Sequence, residues 1–180
     1  MVPRRLVRAL AALAAAVSCG AVSLVPTDGT AATLAGGSVG QNNGIGTNAQ
    51  FWIPNSVVVD SAGAFAYVSD AGNYVIRKLD MSTAAVTTLG VGFLGGAGCT
   101  DGVGTSSSSF TSLRGLVLDG VGNLYAADAG CHSVRAIALS SNTVTTLAGG
   151  PMIGTSGTFV LAALVSMVSV QTHRSTSPLA

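Results

Sequence analysis

The sequence predicts an all-β fold built from four-stranded antiparallel units, and three observations predict it. The stretch from Phe51 to Gly90 (FWIPNSVVVDSAGAFAYVSDAGNYVIRKLDMSTAAVTTLG) returns from Phe110 to Gly149 as FTSLRGLVLDGVGNLYAADAGCHSVRAIALSSNTVTTLAG. Phe51 matches Phe110 and Asp60 matches Asp119; the second copy then drops one residue, after which Asp70 matches Asp128, Arg77 matches Arg135 and Thr88 matches Thr146. Composition points the same way. Only 8% of the 180 residues are charged, Glu is absent and Gly occurs 24 times. Helical bundles draw on Glu, Lys, Leu and Ala, whereas Ser, Thr and Gly around Val-rich runs fit short strands joined by turns. Finally, each copy divides into four short strand-like runs separated by Gly, Asp and Asn.

The first run is Ser56 to Asp60, matched by Gly115 to Asp119. It is nearly all apolar, as a strand covered on both faces is. A Gly-containing turn leads to the second run, Phe65 to Ser69 or Leu124 to Ala127, which ends on Asp70 or Asp128. An Ala-Gly turn leads to the third, Tyr74 to Leu79 or Ser133 to Ile137. The fourth is Ala85 to Leu89 or Thr143 to Leu147. Short linkers make each copy an antiparallel meander. A unit of this kind and length reads as one blade of a β-propeller, with the first strand lining the channel and the fourth outermost. One blade cannot bury both faces, so blades stack on one another. The fold class is therefore a partial β-propeller, two four-stranded blades plus incomplete flanking strands.

The flanks follow in order. Met1 to Arg8 is basic and Ala9 to Val25 apolar, so residues 1–32 read as a secretory signal peptide. An uncleaved anchor and lipidation at Cys19 are the alternatives. Residues 33–150 form the propeller region, with blade cores at 51–90 and 110–149. Thr33-Leu34-Ala35-Gly36-Gly37 echoes Thr146 to Gly150, so this region opens on the last strand of a repeat. The loops before each core both contain Gly-x-Gly-Thr, at Gly44 to Thr47 and Gly102 to Thr105. Residues 151–180 read as a diverged or truncated third repeat: Gly154, Thr155 and Phe159 fit its opening, and an apolar segment, 159–170, replaces the expected hairpin. That segment is short for a membrane span, so none is expected in the mature chain.

At these residues the sequence resembles the NHL-repeat β-propellers. The resemblance rests on Asp101-Gly102-Val103-Gly104-Thr105, Phe110, Gly115 to Asp119, Gly122-Asn123-Leu124-Tyr125-Ala126-Ala127-Asp128, His132, Val134-Arg135 and Val144 to Gly149. In the first copy it rests on Phe51, Pro54, Val57 to Asp60, Tyr67 to Asp70, Asn73, Ile76 to Leu79 and Val86 to Gly90. Family propellers close with more blades than the two readable here, about four to eight for propellers in general. A homo-oligomer that completes the ring is one expectation. The resemblance implies a scaffold rather than one activity.

Candidate chemistry is sparse. Cys99 lies in the loop between blades and Cys131 in the turn between second and third strands. These loops open on one face of a meander blade, and an oxidising compartment permits their disulfide. It closes a loop of about 30 residues and stabilises by roughly 3 kcal/mol. No Cys-x-x-Cys supports zinc. Asp70, Asp128, Arg77 and Arg135 recur in both copies and read as structural, the carboxylates accepting turn N–H groups. Asp60 and Asp119 at inner-strand ends, Asp101 in the loop and His132 in the turn are the weak binding candidates. Some extracellular relatives of the fold are lyases with a channel metal held by several His; here Tyr74 stands where the second copy has His132, so no cofactor is expected and a divalent cation belongs to the alternative reading. Phe51 and Trp52 read as blade-packing aromatics. Outside the N-terminal arginines, Arg77, Lys78, Arg114, Arg135 and Arg174 face Asp60, Asp70, Asp80, Asp101, Asp119 and Asp128, a balance that excludes a nucleic-acid footprint. The expectation is a secreted or cell-surface, non-catalytic module binding a protein or small ligand at the loop face. The alternatives are a metal-dependent lyase- or lactonase-like propeller enzyme and a degenerate fragment.

Overall fold

In the computed structural model, residues 15–18, 21–24, 32–89, 97–104 and 108–150 are described, and two five-stranded antiparallel sheets dominate them. The chain enters through β1 (Ala15–Ser18), β2 (Ala21–Leu24) and β3 (Ala32–Ala35), which pair in that order as one small sheet. β1 and β2 lie inside the segment read as a signal peptide, and β1 runs beside the inner strand of the first blade. Next come β4 (Ser38–Val39), β5 (Gly44–Ile45) and β6 (Gln50–Phe51), with β4 and β6 paired in parallel.

The first blade is β7 (Pro54–Val59), β8 (Phe65–Asp70), β9 (Val75–Asp80) and β10 (Ala85–Thr88), and β5 returns to pair with β10 as a fifth strand. After β11 (Gly102–Val103), the second blade is β12 (Leu113–Leu118), β13 (Asn123–Asp128), β14 (Ser133–Ala138) and β15 (Thr143–Gly149). β11 joins the edge of β15 as β5 joins β10. The Gly-x-Gly-Thr loops therefore contribute a short outermost strand, and the fourth strand of each repeat is one place further in than the sequence indicates. Gly46 and Gly104 leave these strands at φ 58° and 72°, a conformation that glycine adopts without a Cβ clash. Each donates its N–H across to the third turn of its blade, to Ala84 at 2.9 Å and to Asn142 at 3.0 Å.

Both inner strands carry a bulge at the same place, between Pro54 and Ser56 and between Leu113 and Leu116. Pro54 is tolerated there because an edge strand at a bulge does not need its missing N–H. Val57, Val58, Val59, Val117 and Leu118 are only half-buried. An apolar run here marks an inner strand whose channel side is open, not one covered on both faces.

Each blade turns one apolar face backward and one forward, as period-two alternation in β8 and β13 requires. The backward face of the first blade is Phe51, Ala66, Val68, Leu79 and Val86, packed with Ala35. The matching residues of the second, Phe110, Leu124, Ala126, Ile137 and Val144, pack with Tyr67, Ile76 and Leu89 from the forward face of the first blade. Two serines, Ser56 on β7 and Ser69 on β8, add a polar stitch from the first blade to β12. Ser69 Oγ donates to the Arg114 carbonyl at 3.0 Å and Ser56 Oγ accepts from the Leu116 N–H at 3.2 Å. On the forward face of the second blade Val134, the counterpart of Ile76, is buried, but Leu147 is 50% exposed, whereas its counterpart Leu89 is 9% exposed. Residues 151–180, expected to start a third repeat, lie outside the described residues, and no described helix is long and apolar enough to cross a membrane.

Leu89→Ala is expected to cost about 2–4 kcal/mol, because it opens a cavity between blades. Leu147→Ala at the equivalent site is expected to cost less than about 1 kcal/mol. Urea midpoints of the two variants check this, and equal losses would contradict the packing described.

Candidate functional site

The chemistry-bearing residues gather where the loop entering a blade meets the turn between its second and third strands. Asp70 ends β8 and is fully buried. Its carboxylate accepts the Trp52 N–H at 2.7 Å, the Asn73 Nδ2 amide at 2.7 Å and an Arg77 guanidinium N–H at 3.0 Å. Arg77, also fully buried, donates onward to the carbonyls of Gln50 at 2.9 Å and Asn42 at 3.1 Å and to Asn43 Oδ1 at 2.9 Å. Its guanidinium lies 5.2 Å from the centre of the Phe51 ring, a cation–π arrangement. The pair thus ties the entering loop, residues 42–52, down onto its own blade.

The second blade repeats the device with a different charge balance. Asp128 accepts the N–H groups of Thr111 at 3.1 Å and Ser112 at 2.9 Å. Arg135 lies 5.3 Å from the Phe110 ring centre, donates to the carbonyls of Ser109 and Thr100, and binds Asp101 at 2.7 Å while standing 3.8 Å from Asp128. Asp101 occupies the place of Asn43, so one arginine serves two carboxylates here and one in the first blade. Asp101 also accepts the Thr146 N–H and hydroxyl, both at 2.9 Å, which fastens the loop to β15. The recurring carboxylates accept backbone N–H groups from the loop before the blade, and the turn beside Asp70 contributes only the Asn73 side-chain amide.

Burial pushes the Asp70 carboxyl above its ordinary range, although Asn73, the Trp52 N–H and Arg77 all pull it down. Asp101 moves the other way. Its partial burial alone would raise it, and the Thr146 N–H and hydroxyl together with Arg135 outweigh that and hold it below the usual range. For Asp119, too, burial is the largest single influence and would raise it, and the N–H and amide of Asn123 together with the Val121 and Gly122 N–H groups outweigh it and hold the carboxyl below the usual range.

The disulfide expected between Cys99 and Cys131 is present, with a Cα–Cα distance of 5.6 Å. Cys131 stands where the first blade has Asn73, whose amide reaches the Gly40 carbonyl at 2.7 Å. One junction of loop to turn is thus closed by an amide hydrogen bond in one blade and by a covalent bond in the other.

The weak candidates separate. Asp60 accepts the Ala64 N–H at 2.7 Å, and Asp119 accepts the N–H groups of Val121 at 2.8 Å and Asn123 at 2.9 Å and the Asn123 amide at 2.6 Å. Both organise the first hairpin turn. His132 is exposed and lies at φ 51°, matching Tyr74 at 59° in the other blade, and its backbone bonds to Ala129 and Gly150 close the second turn. Among the described residues, no three His, Cys, Asp or Glu side chains come together as a metal site would require. Phe51 packs as expected, but Trp52 is 46% exposed. Its position beside Asp70 was hidden in the sequence; the only signal was that Trp52-Ile53 replaces the small Thr111-Ser112 of the second copy.

No family model matches the chain. Human NHL repeat-containing protein 2 is 32% identical to it over 132 residues, covering 67% of this chain and 18% of that protein. Bovine NHL repeat-containing protein 2 is 30% identical over 128 residues, covering 65% and 17%. The chain therefore spans under a fifth of the curated relatives it matches. Among solved structures, a protein of unknown function from Bacteroides thetaiotaomicron aligns with a TM-score of 0.53 at 25% identity, over 69% of this chain and 29% of the other. An auxiliary nutrient binding protein from Bacteroides ovatus aligns with a TM-score of 0.54 at 23% identity, over 72% and 33%.

Asp70→Ala is expected to destabilise by about 3–5 kcal/mol, since it leaves the Arg77 charge buried without its carboxylate. Denaturant unfolding measures this, and a loss under about 1 kcal/mol would show that the pair is not what holds the loop. A second expectation concerns acid. Asp101, with its folded pKa depressed, contributes stability that is present above the ordinary carboxylate range and is lost as pH falls through the folded value. The stability gap between wild type and Asp101→Asn should be widest near neutral pH and close below that range. Asp101 is half-exposed, so salt should narrow the gap as well. A gap that widens in acid would refute this sign.

Proposed function

Because the chain belongs to the NHL-repeat β-propellers, we propose that it is a secreted or cell-surface binding module, non-catalytic, that presents its loop face to a protein or small ligand. One observation supports this most directly. The charged side chains that recur in the blades are engaged by the fold itself: Asp70 with Arg77, Asp128 and Asp101 with Arg135, Asp119 with the amides of its own turn. A general acid or base must be able to reach a substrate proton. Asp70 and Asp128 are sealed beneath the loops, and the two exposed candidates, Asp119 and His132, belong to turns at different places in the blade. What differs from blade to blade is the set of loop side chains above this shared framework, and propellers vary their function through such side chains.

The proposal is tested by pairing binding with turnover assays on the whole chain. His132→Ala and Asp119→Asn should leave ligand affinity within about twofold of wild type. Neither variant should alter any chemical conversion of the ligand. Turnover that disappears with either substitution would instead support the propeller-enzyme reading.

A further inference from the structure

We propose that the corner made by Trp52, Ile53 and the loop Gln41 to Asn43 binds the ring of a neutral saccharide, stacked on the open side of the Trp52 indole. This rests on the binding-module reading and gives that module a surface and a ligand class.

The second blade acts as an internal control. At the same corner one backbone bond is shared: the Ala71 N–H donates to the Ile53 carbonyl at 3.2 Å and the Ala129 N–H to the Ser112 carbonyl at 2.9 Å, while the first blade adds the Gly72 N–H to the Trp52 carbonyl at 2.7 Å. Buried Asp70 and Asp128 anchor the two loops from beneath. Thr111 and Ser112 satisfy this framework in the second blade, so the fold needs no large apolar side chain there. The first blade nevertheless carries Trp52, 46% exposed, and Ile53, 59% exposed. Ile53 also sits at φ 53°. For a β-branched residue that backbone is strained, and such strain collects at ligand sites. The other non-glycine residues at positive φ come as matched pairs, Tyr74 with His132 and Ala84 with Asn142. Among the described residues Ile53 has no such partner, since Ser112 does not share its conformation.

The indole is seated on the backbone of the turn. A Cβ added to Gly72 would fall 2.6 Å from the Trp52 ring, as one added to Gly130 would fall 2.5 Å from the Thr111 methyl. Glycine at both turns makes room for whatever the loop lays over it. The ring is therefore fixed from below while nearly half of the residue meets solvent.

The surroundings select the ligand. The Asp70 and Arg77 charges beneath are fully buried and paired with each other. The adjoining loop carries Gln41, Asn42 and Asn43, all exposed, where the second blade has Cys99, Thr100 and Asp101. Carboxamides offer a donor and an acceptor together and bear no charge; the Asn43 oxygen is engaged by Arg77, which leaves its amide N–H groups and the Gln41 and Asn42 carboxamides for a ligand. The loop is pinned by Asn73 to the Gly40 carbonyl and by Arg77 to the Asn42 carbonyl, which reduces the ordering cost on binding. An aromatic face beside neutral amides suits a ring with an apolar C–H face and a rim of hydroxyls. It offers a charged ligand no counter-charge.

Trp52 is the only tryptophan in the chain, so its fluorescence reports on this corner alone. The full chain is titrated with neutral oligosaccharides of glucose, xylose, mannose and N-acetylglucosamine, and each titration is repeated by calorimetry. At least one should shift or quench the fluorescence saturably, with a matching calorimetric Kd. W52T should weaken that Kd by roughly tenfold or more while unfolding at or near the wild-type midpoint, because the second blade folds with Thr at this place. I53S should weaken binding and raise the midpoint slightly by relieving strain. Absence of any saturable response overturns the site. A calorimetric Kd unchanged in W52T also overturns it, and leaves the binding-module reading standing on another surface. Tighter binding of a sulfated or uronic-acid oligosaccharide overturns the ligand class, as does a glycan-free protein that binds through Trp52 when no saccharide does.

Discussion

A carboxylate and a guanidinium, buried together at the end of the second strand, hold each blade to the loop that precedes it. Taking two charges out of water is costly, and their attraction repays the cost only when the remaining donors and acceptors are also satisfied. Asp70 and Arg77 come close to that condition through Trp52, Asn73, Gln50, Asn42 and Asn43, and the buried Arg77 Nε is the one donor of the pair that finds no partner among the described residues. Apart from Asn73 these partners come from the loop, so burial of the pair and placement of the loop depend on each other. Once there, the loop sets Phe51 beneath the guanidinium and against the core. Charge pairing, loop position and aromatic packing are one coupled arrangement, and it occurs twice.

Stacking follows from the same arrangement. Phe110, placed by Arg135 and Ser109, enters the seam in which Leu89, Tyr67 and Ile76 of the first blade are buried. The Ser56–Ser69 stitch belongs to the first blade; Gly115 and Ala127 take those places in the second. The seam between blades is therefore more than a generic apolar contact, and it fixes the sliding register of one inner strand against the next.

Above this common frame the blades diverge. Asn73 becomes Cys131, Asn43 becomes Asp101 and Trp52 becomes Thr111, with the bond from the alanine N–H of the turn to the loop carbonyl kept. The second corner is closed by a disulfide and carries an extra carboxylate. The first is neutral, amide-rich and topped by an indole. Repetition makes this visible, because each blade shows which features the other could have done without.

The sequence by itself determined the four strands of each blade and their order, and raised the expectation that Cys99 pairs with Cys131. Period-two runs between Gly and Asp turns carry that information locally, and the internal repeat confirms it at each position. It also marked Asp70, Asp128, Arg77 and Arg135 as structural, because chemistry confined to one site has no reason to recur at each blade. The fifth strand was not legible. Gly44-Ile45 and Gly102-Val103 are two residues long, and only the edge of a partner strand makes them strands. The partners of the buried pair were not legible either, since the Trp52 N–H lies 18 residues before Asp70 and Asn43 lies 34 before Arg77. Half-burial of the inner strands and exposure of Trp52 belong to the same class. An apolar residue is drawn out of water only if other surface arrives to cover it, and whether that happens is decided by tertiary packing.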